Sequence, residues 1–225
     1  MNVKRTAERL LKHIKAHRNL PQLRNNPSAL LQAIDHLSIH HEPLITIGPE
    51  KGRIVTELIA KEKPRTFVEC GGYVGYSAIL FGSELRRHRA NAQFWSLEYD
   101  PRFAAIIAEM VDLAGLNDII HVVTGPAGES LRALRAEGKL ERIDMLYLDH
   151  VEELYEQDLK IAMDELGLLK RRSTIVADNV LYPGAPEYQR YVRSHPGLRS
   201  SSVRSWIEAW NVMVCPIRVL QCVAS

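Results

Sequence analysis

The sequence has few cysteines and no long hydrophobic run. Its three cysteines, Cys70, Cys215 and Cys222, are an odd number without metal-ligand spacing, and they fit reduced thiols in a cytosol-like compartment. No apolar run approaches the roughly 20 residues of a membrane helix. The N-terminus also lacks the hydrophobic core of a signal peptide. We therefore expect a cytoplasmic protein without a membrane partner.

The sequence also lacks an excess of charge of one sign. Its formal charge of +2 is spread along the chain without a basic block, which argues against nucleic acid as a partner. It contains no repeat, low-complexity tract or linker. At 225 residues the chain is predicted to be one domain over 1–225, with an N-terminal helical cap (1–62) and an α/β core (63–225). We expect a monomer or a weak homodimer.

The first twenty residues have a basic amphipathic pattern. Val3, Leu10, Leu11 and Ile14 lie among lysines and arginines at helical spacing. Such a helix can lie on an acidic membrane or act as a targeting segment. More often the apolar face of an amphipathic helix packs on a core, and we favour that interpretation.

Strand-like and helix-like runs alternate after Pro64. Five such pairs predict a largely parallel sheet with helices on both faces. The final apolar runs, 200–205 and 212–223, have no helix between them and predict antiparallel edge strands. The predicted strands and their following helices are 66–70 and 76–87, 94–98 and 101–114, 119–123 and 128–137, 143–148 and 153–166, and 173–177 and 186–194.

Polar side chains follow two of these predicted strands where each strand ends. Asp149 comes directly after one apolar run, and Asp178 and Asn179 come after another. In an open α/β sheet the carboxyl ends of the strands border the crevice that binds ligands. Carboxylate and amide oxygens are the ligands that Mg²⁺ prefers. This pattern therefore predicts a divalent metal site.

A glycine loop follows the first predicted strand. A dinucleotide-binding fingerprint would need glycine at positions 73 and 76, which are tyrosines here, so that interpretation fails. The remaining pattern, with Glu69, Gly71 and Gly75, resembles motif I of the S-adenosylmethionine-dependent methyltransferases. In such a loop Glu69 would favour the positively charged methionine moiety, directly or through water.

Glu98 lies at the tip of the second predicted strand, before Asp100 and Pro101. A carboxylate there can accept hydrogen bonds from both ribose hydroxyls of a cofactor. The alternative is an exposed residue before a helix start. Together with Glu69 and the glycine loop, Glu98 favours cofactor binding.

Taken together, these segments resemble the catechol O-methyltransferase family over roughly residues 30–208. The resemblance implies a Rossmann-like methyltransferase fold, with a mostly parallel seven-stranded sheet whose last strand pair is antiparallel. It also implies methyl transfer from S-adenosylmethionine, with Mg²⁺, to one hydroxyl of an aromatic vicinal diol. The matching stretches are 47–52, 69–78, 114–116, 148–150, 177–180 and 183–184.

The resemblance also implies roles for individual residues. Asp149, Asp178 and Asn179 would coordinate Mg²⁺, and Glu208 would hold a substrate hydroxyl. For His150 the alternative is a packed or exposed side chain outside the pocket. The residues that would line the cofactor pocket are Ile47, Glu69, Gly71, Tyr73, Ser77, Glu98, Tyr99, Ala127, Gly128 and His150.

The sequence departs from the family around the substrate. Glu152 stands where the family has the lysine that takes the hydroxyl proton, and a glutamate of ordinary pKa is a poorer acceptor than a neutral lysine. The alternative is that Glu152 and Glu153 complement a helix N-terminus, which we favour slightly. Pro43 and Val151 replace aromatic residues beside the substrate, and Ala127 and Gly128 replace polar residues near the adenine. Trp206 or Trp210 could supply an aromatic wall instead.

Three interpretations follow. The first is a Mg²⁺-dependent O-methyltransferase of an aromatic vicinal diol, with Glu152 and Glu208 as candidate catalytic residues. The second is an S-adenosylmethionine-binding homologue with lost or altered catalysis, which the glutamate at 152 supports. The third is a metal-dependent hydrolase, which would leave the glycine loop and Glu98 without a role. We favour the first.

Overall fold

A computed structural model describes residues 3–207 and 212–223. Their strands form a seven-stranded sheet with the order β3-β2-β1-β4-β5-β7-β6. Strands β1 to β5 pair in parallel, whereas β7 is antiparallel to both β5 and β6. The predicted mostly parallel sheet with an antiparallel C-terminal pair is confirmed. The strands are β1 (Thr66–Cys70), β2 (Gln93–Glu98), β3 (Ile120–Thr124), β4 (Ile143–Leu148), β5 (Leu169–Ala177), β6 (Leu198–Ile207) and β7 (Val212–Cys222).

Helices cover both faces of this sheet, as expected. Successive residues of a strand point to opposite faces, so Phe67 packs under the first group of helices (α1, α3, α4, α5 and α6) and Val68 under the second (α7, α8 and α9). The helices are α1 (Val3–Lys15), α2 (Leu20–Leu23), α3 (Pro27–His40), α4 (Gly48–Glu62), α5 (Tyr76–His88), α6 (Pro101–Ala114), α7 (Ala127–Ala136), α8 (Tyr155–Lys160) and α9 (Pro186–Ser194).

The N-terminal helix packs on the protein, as we favoured. Thr6, Ala7, Leu10 and Ile14 on one face of α1 are buried, and contacts with α3 and α6 cover this face. Within residues 3–207 and 212–223, none of the helices combines the length and the apolar character needed to span a bilayer.

One predicted helix is divided in the structure. Instead of a continuous helix over 153–166, a 3₁₀ turn (Glu152–Leu154) leads into α8, and a π-helical turn (Ile161–Glu165) follows it. The amide of Leu166 donates to the carbonyl of Ile161, five residues back, at 2.9 Å. This wider turn ends the helix before β5, which begins four residues earlier than predicted.

Backbone hydrogen bonds continue past the carboxyl ends of four neighbouring strands. The amide of Gly71 donates to Leu97, that of Asp149 to Cys70 and that of Asp178 to Leu148, at 2.9 to 3.0 Å. The residues that follow β1, β4 and β5 are therefore held side by side. This edge of the sheet carries most of the predicted site.

Candidate active site

Gly71 and Gly75 shape the loop after β1. Gly71 has a φ of 89°, and a Cβ built on it would lie 2.6 Å from the carbonyl oxygen of Asp149. No side chain fits there, because backbone atoms cannot give way as a side chain can. Gly75 has a φ of 82° and directly precedes α5, a conformation that glycine adopts without strain. The loop therefore lies against the carboxyl end of β4 and leaves a space without side chains at the edge of the sheet. We call this space the glycine cradle.

Glu98 at the end of β2 holds this loop. Its Oε2 accepts hydrogen bonds from the amides of Gly72 and Tyr73, both at 3.0 Å, and its Oε1 accepts from the amide of Asp100 at 2.9 Å. Only 7% of the residue is exposed. The alternative of an exposed residue before a helix is wrong. Each carboxylate oxygen has two lone pairs, so Oε1 keeps capacity for a further donor.

Glu69 is fully buried and incompletely hydrogen-bonded. Its Oε2 accepts from the Ser96 hydroxyl at 2.7 Å, and Ser77 also bonds to the carboxylate. Its Oε1 has no partner among the residues that the structure describes. Burial raises the pKa of Glu69 to about 7, the two serine hydrogen bonds oppose this rise, and the charge of Glu98 adds to it. A positively charged donor would supply the hydrogen bond that Glu69 Oε1 lacks.

His150 forms a partly buried pair with an acid on α8. Its Nε2 lies 2.7 Å from Asp158 Oδ2, and its ring packs tilted against Tyr155 at 5.1 Å. His150 Nδ1 is buried and has no hydrogen-bond partner in the described part of the chain. A Cβ on Gly128 would lie 2.9 Å from the other Asp158 oxygen. Gly128 therefore lies beside the His150–Asp158 pair.

A lysine from α4 reaches the carboxyl end of β5. Lys51 Nζ lies 2.6 Å from Asp178 Oδ1 and 3.3 Å from Asn179 Oδ1, and both charged side chains are 3% exposed. Two of the three predicted metal ligands thus already hold a cation. This donor set therefore fits a positively charged ligand.

Asp149 carries the other carboxylate of this region. The Tyr147 hydroxyl donates to its Oδ2 at 3.0 Å. Burial raises the pKa of Asp149 well above its usual range and the negative charge of Asp178 raises it further, while Tyr147 and Lys51 act in the opposite direction. The third predicted ligand, Asn179, is an amide, so the predicted site has only two acidic side chains. No three His, Cys, Asp or Glu side chains of the described residues form a ready metal cluster.

The remaining predicted residues are more scattered. Ile47 is buried directly before α4, whereas Tyr99 beyond Glu98 is 74% exposed. Ala127 and Gly128 begin α7. Glu152 is half-buried and opens the 3₁₀ turn that leads into α8, which agrees with the helix-start interpretation.

The substrate side of the site is the least enclosed. Val151 is 56% exposed and Pro43 is also exposed, so neither walls a pocket among the described residues. Glu208 and Trp210 lie outside the described residues, as does the side chain of Trp206.

Sequence reasoning missed three residues: Lys51, Tyr147 and Asp158. Two of them left a detectable signal. Lys51 shares the buried face of α4 with Val55 and Ile59, and Asp158 lies on the buried face of α8. A charged residue at an apolar position of an amphipathic helix implies a buried partner, because isolated buried charges are very costly.

Comparison with known proteins identifies the family. The model of a family described as O-methyltransferase matches residues 24–193. The chain belongs to the O-methyltransferase family. Catechol O-methyltransferase of Bos taurus is 33% identical over 206 residues, covering 92% of this chain and 73% of the relative. Catechol O-methyltransferase B of Danio rerio is 32% identical over 201 residues, covering 89% and 73%. The predicted resemblance is confirmed, and the chain is a methyltransferase.

Solved structures of other O-methyltransferases share the fold. The Bacillus cereus O-methyltransferase, solved in complex with SAH, superposes with a TM-score of 0.71 at 19% identity, covering 88% of this chain and 90% of that one. TomG from Streptomyces achromogenes, solved with SAM, gives 0.71 at 18% identity, covering 87% and 90%. The predicted Rossmann-like methyltransferase fold is therefore confirmed.

Proposed function

We propose that this O-methyltransferase uses S-adenosylmethionine and Mg²⁺ to methylate one hydroxyl of an aromatic vicinal diol. The observation that carries the proposal is the arrangement at the sheet edge. The glycine cradle and the incompletely hydrogen-bonded Glu69 lie at the same edge of the sheet as Asp178, whose carboxylate already binds the Lys51 ammonium. The relatives named catechol O-methyltransferase support the diol substrate.

The chain's own groups suit the cofactor. Glu69 Oε1 would accept from the ammonium group of the methionine moiety, and Glu98 Oε1 has a lone pair for a ribose hydroxyl. Gly71 keeps the cradle free of side-chain atoms. His150, fixed by Asp158, would offer its ring to the adenine. When bound, S-adenosylmethionine supplies an electrophilic methyl sulfonium, so the protein's task is to position an acceptor oxygen in line with it.

Asp149, Asp178 and Asn179 would hold Mg²⁺, which supplies Lewis-acid activation of a hydroxyl when bound. Their oxygens are the hard ligands that this cation prefers. The raised pKa of Asp149 and the Lys51–Asp178 contact both follow from burying two carboxylates close together. A divalent cation would offset this negative charge and compete with the Lys51 ammonium for Asp178.

The identity of the proton acceptor separates two candidate functions. Glu152 takes the position of the family's lysine, but it also begins the turn before α8. An S-adenosylmethionine-binding homologue with lost or altered catalysis is therefore the second candidate function. Family membership removes the hydrolase interpretation.

Calorimetry separates cofactor binding from catalysis. We expect the chain to bind S-adenosylmethionine with a one-to-one stoichiometry, and its affinity for a catechol to depend on Mg²⁺ and disappear with a chelator. If S-adenosylmethionine fails to bind with or without Mg²⁺, both candidate functions are wrong. A methyl-transfer assay on simple catechols then decides between them, since only the first predicts turnover.

Replacing Glu152 by Lys tests the proton acceptor, with Glu153→Lys as the matched control for the change in charge. If the lack of a lysine at position 152 limits catalysis, activity on catechol rises at least tenfold in Glu152→Lys and stays unchanged in Glu153→Lys. Loss of an existing activity in Glu152→Lys alone would instead identify the glutamate as the working base or ligand.

Four further expectations stay predictions and belong to this proposal. They are a cytoplasmic location, a small-molecule partner, no nucleic-acid partner, and a monomer or weak homodimer.

A further inference from the structure

Five of the nine histidines lie together where α1 and α3 end. His13 is in α1 and His17 follows that helix, while His36 and His40 are in α3 and His41 directly follows it. We call these five residues the histidine cluster. None of them belongs to the proposed active site, so the proposed function does not explain the cluster.

The ring spacings suit a shared metal ion. The ring centroids are 4.6 Å apart for His36 and His40, 5.8 Å for His36 and His41, and 6.0 Å for His13 and His41. Two imidazoles on one tetrahedral zinc ion, each bound at about 2.0 to 2.1 Å, would have centroids roughly 5 Å apart. The observed distances lie on both sides of that value.

The state of these side chains also favours ligation. His13, His36, His40 and His41 are exposed, and none of their side chains makes a hydrogen bond or ion pair with another described residue. Neutral imidazole is the form that binds metals, and a ring without a hydrogen bond can turn either nitrogen toward an ion.

We propose that the histidine cluster binds a divalent transition-metal ion such as Zn²⁺ through His36, His40 and His41, with His13 as a fourth ligand. His36 and His40 are four residues apart and therefore share one face of α3. In the described part of the chain, no three of these rings are arranged to hold an ion in their present rotamers. Ligation needs rotamer changes, which exposed side chains make within nanoseconds.

This site differs in chemistry and position from the proposed Mg²⁺ site. Imidazole nitrogens suit zinc, copper and nickel, whereas carboxylate and amide oxygens suit magnesium. Bound metal would link α1 to the end of α3. From α1, Thr6 donates to Glu42 at 2.9 Å, and Val3 accepts from the Tyr73 hydroxyl at 3.3 Å. We therefore expect metal binding to stabilise α1 against the glycine loop.

Calorimetric titration of the untagged full-length chain with Zn²⁺, in excess Mg²⁺, tests the proposal. We expect one saturable site in the wild type and at least a tenfold weaker one in the double variant His36→Gln/His40→Gln. The matched control is His88→Gln/His195→Gln, which removes two histidines that lie beside Glu84 and Asp164. The absence of saturable binding, or an equal weakening in both double variants, would overturn the proposal.

Hydrogen exchange provides a second readout that does not depend on affinity. Zn²⁺ should slow amide exchange in α1 of the wild type and of the control, but not in the His36→Gln/His40→Gln variant. His13→Gln should reduce this protection even if the affinity changes little, because His13 is the only proposed ligand on α1. Unchanged exchange in α1 of the zinc-loaded wild type would contradict a link between the two helices.

Discussion

The acidic residues in the two halves of the sheet's carboxyl edge are stabilised by different kinds of partner. At the ends of β1 and β2, Glu98 and Glu69 accept hydrogen bonds from backbone amides and serine hydroxyls of the neighbouring segments. At the ends of β4 and β5, Asp149 and Asp178 lie close enough to repel each other, and a lysine from a distant helix balances them. The acids of the first half are therefore stabilised by hydrogen-bond donors of the neighbouring segments, whereas those of the second half depend on one buried lysine side chain.

This difference has an energetic consequence. A hydrogen bond to a backbone amide forms whenever the fold forms and contributes a modest net stability. A buried ion pair contributes little net stability, because the cost of removing both charges from water offsets their attraction. Loss of one partner is costly because it leaves a buried charge uncompensated. We therefore expect substitutions in the β4–β5 half to have the largest effects.

The largest expected effect is that of Asp178→Ala. Lys51 would keep its buried ammonium without the carboxylate at 2.6 Å. Breaking a buried pair in this way costs about 3 to 5 kcal/mol. Urea denaturation of the metal-free protein should show this loss of unfolding free energy.

The double variant Lys51→Met/Asp178→Leu is the control for this experiment. It removes both charges and fills the space with apolar groups, so it should be clearly more stable than Asp178→Ala. Equal stability of the two variants would mean that the lost volume, and not the uncompensated charge, causes the destabilisation.

The second prediction concerns Glu69 and pH. Burial raises its pKa from 4.5 to about 7. Between these values the unfolded chain releases the proton while the folded protein keeps it, so stability falls as the pH rises through this window. The shift corresponds to about 3 kcal/mol. Glu69→Gln cannot titrate and should remove this part of the pH dependence, as measured by urea denaturation between pH 4.5 and 7.5.

Glu153→Gln is the matched control, since Glu153 is an exposed glutamate. It should keep the wild-type dependence on pH. If Glu69→Gln also keeps that dependence, Glu69 is ionised throughout the window, and its environment is more polar than its burial implies.

The third prediction links α8 to the cofactor pocket. Asp158→Asn keeps the shape of the side chain but removes the charge that faces His150 Nε2 at 2.7 Å. A hydrogen bond to a charged group is stronger than a neutral one, so the His150 ring should lose its fixed orientation. We expect about a tenfold rise in the Kd for S-adenosylmethionine, or about 1.4 kcal/mol, by calorimetry.

Asp164→Asn is the control for Asp158→Asn, because Asp164 accepts from the Tyr191 hydroxyl and not from His150. It should leave the Kd unchanged. Equal Kd values for wild type and Asp158→Asn would show that His150 needs no partner to serve the cofactor.

The sequence predicted the elements well where the signal is local. The apolar runs of β1 and β4 begin and end as expected. The start of α3 also has a local signal, because Pro27 is its first residue and the side chain of the preceding Asn26 accepts from the amide of Ala29 at 3.1 Å. These signals need only neighbouring residues, since caps and strand periodicity act within a few positions.

The sequence could not predict the partners that the fold brings together. Glu98 was found as an acid at a strand tip, but its hydrogen bonds to the amides of Gly72 and Tyr73 depend on how β1 and β2 pair. Lys51 is separated from Asp178 by 127 positions. No periodicity within one sequence can indicate a contact over such a distance.

The smallest expected effect is that of Tyr73→Phe in the β1–β2 half. The variant removes only the hydroxyl that donates to the Val3 carbonyl at 3.3 Å, while the ring keeps its edge-on contact with Phe103 at 5.2 Å. We expect a loss of about 0.5 to 1 kcal/mol in urea denaturation. Tyr99→Phe, at a residue that is 74% exposed, should cost nothing measurable. A loss in Tyr73→Phe as large as that in Asp178→Ala would mean that α1, and not Glu98, holds the glycine loop, and the contrast between the two halves would then fail.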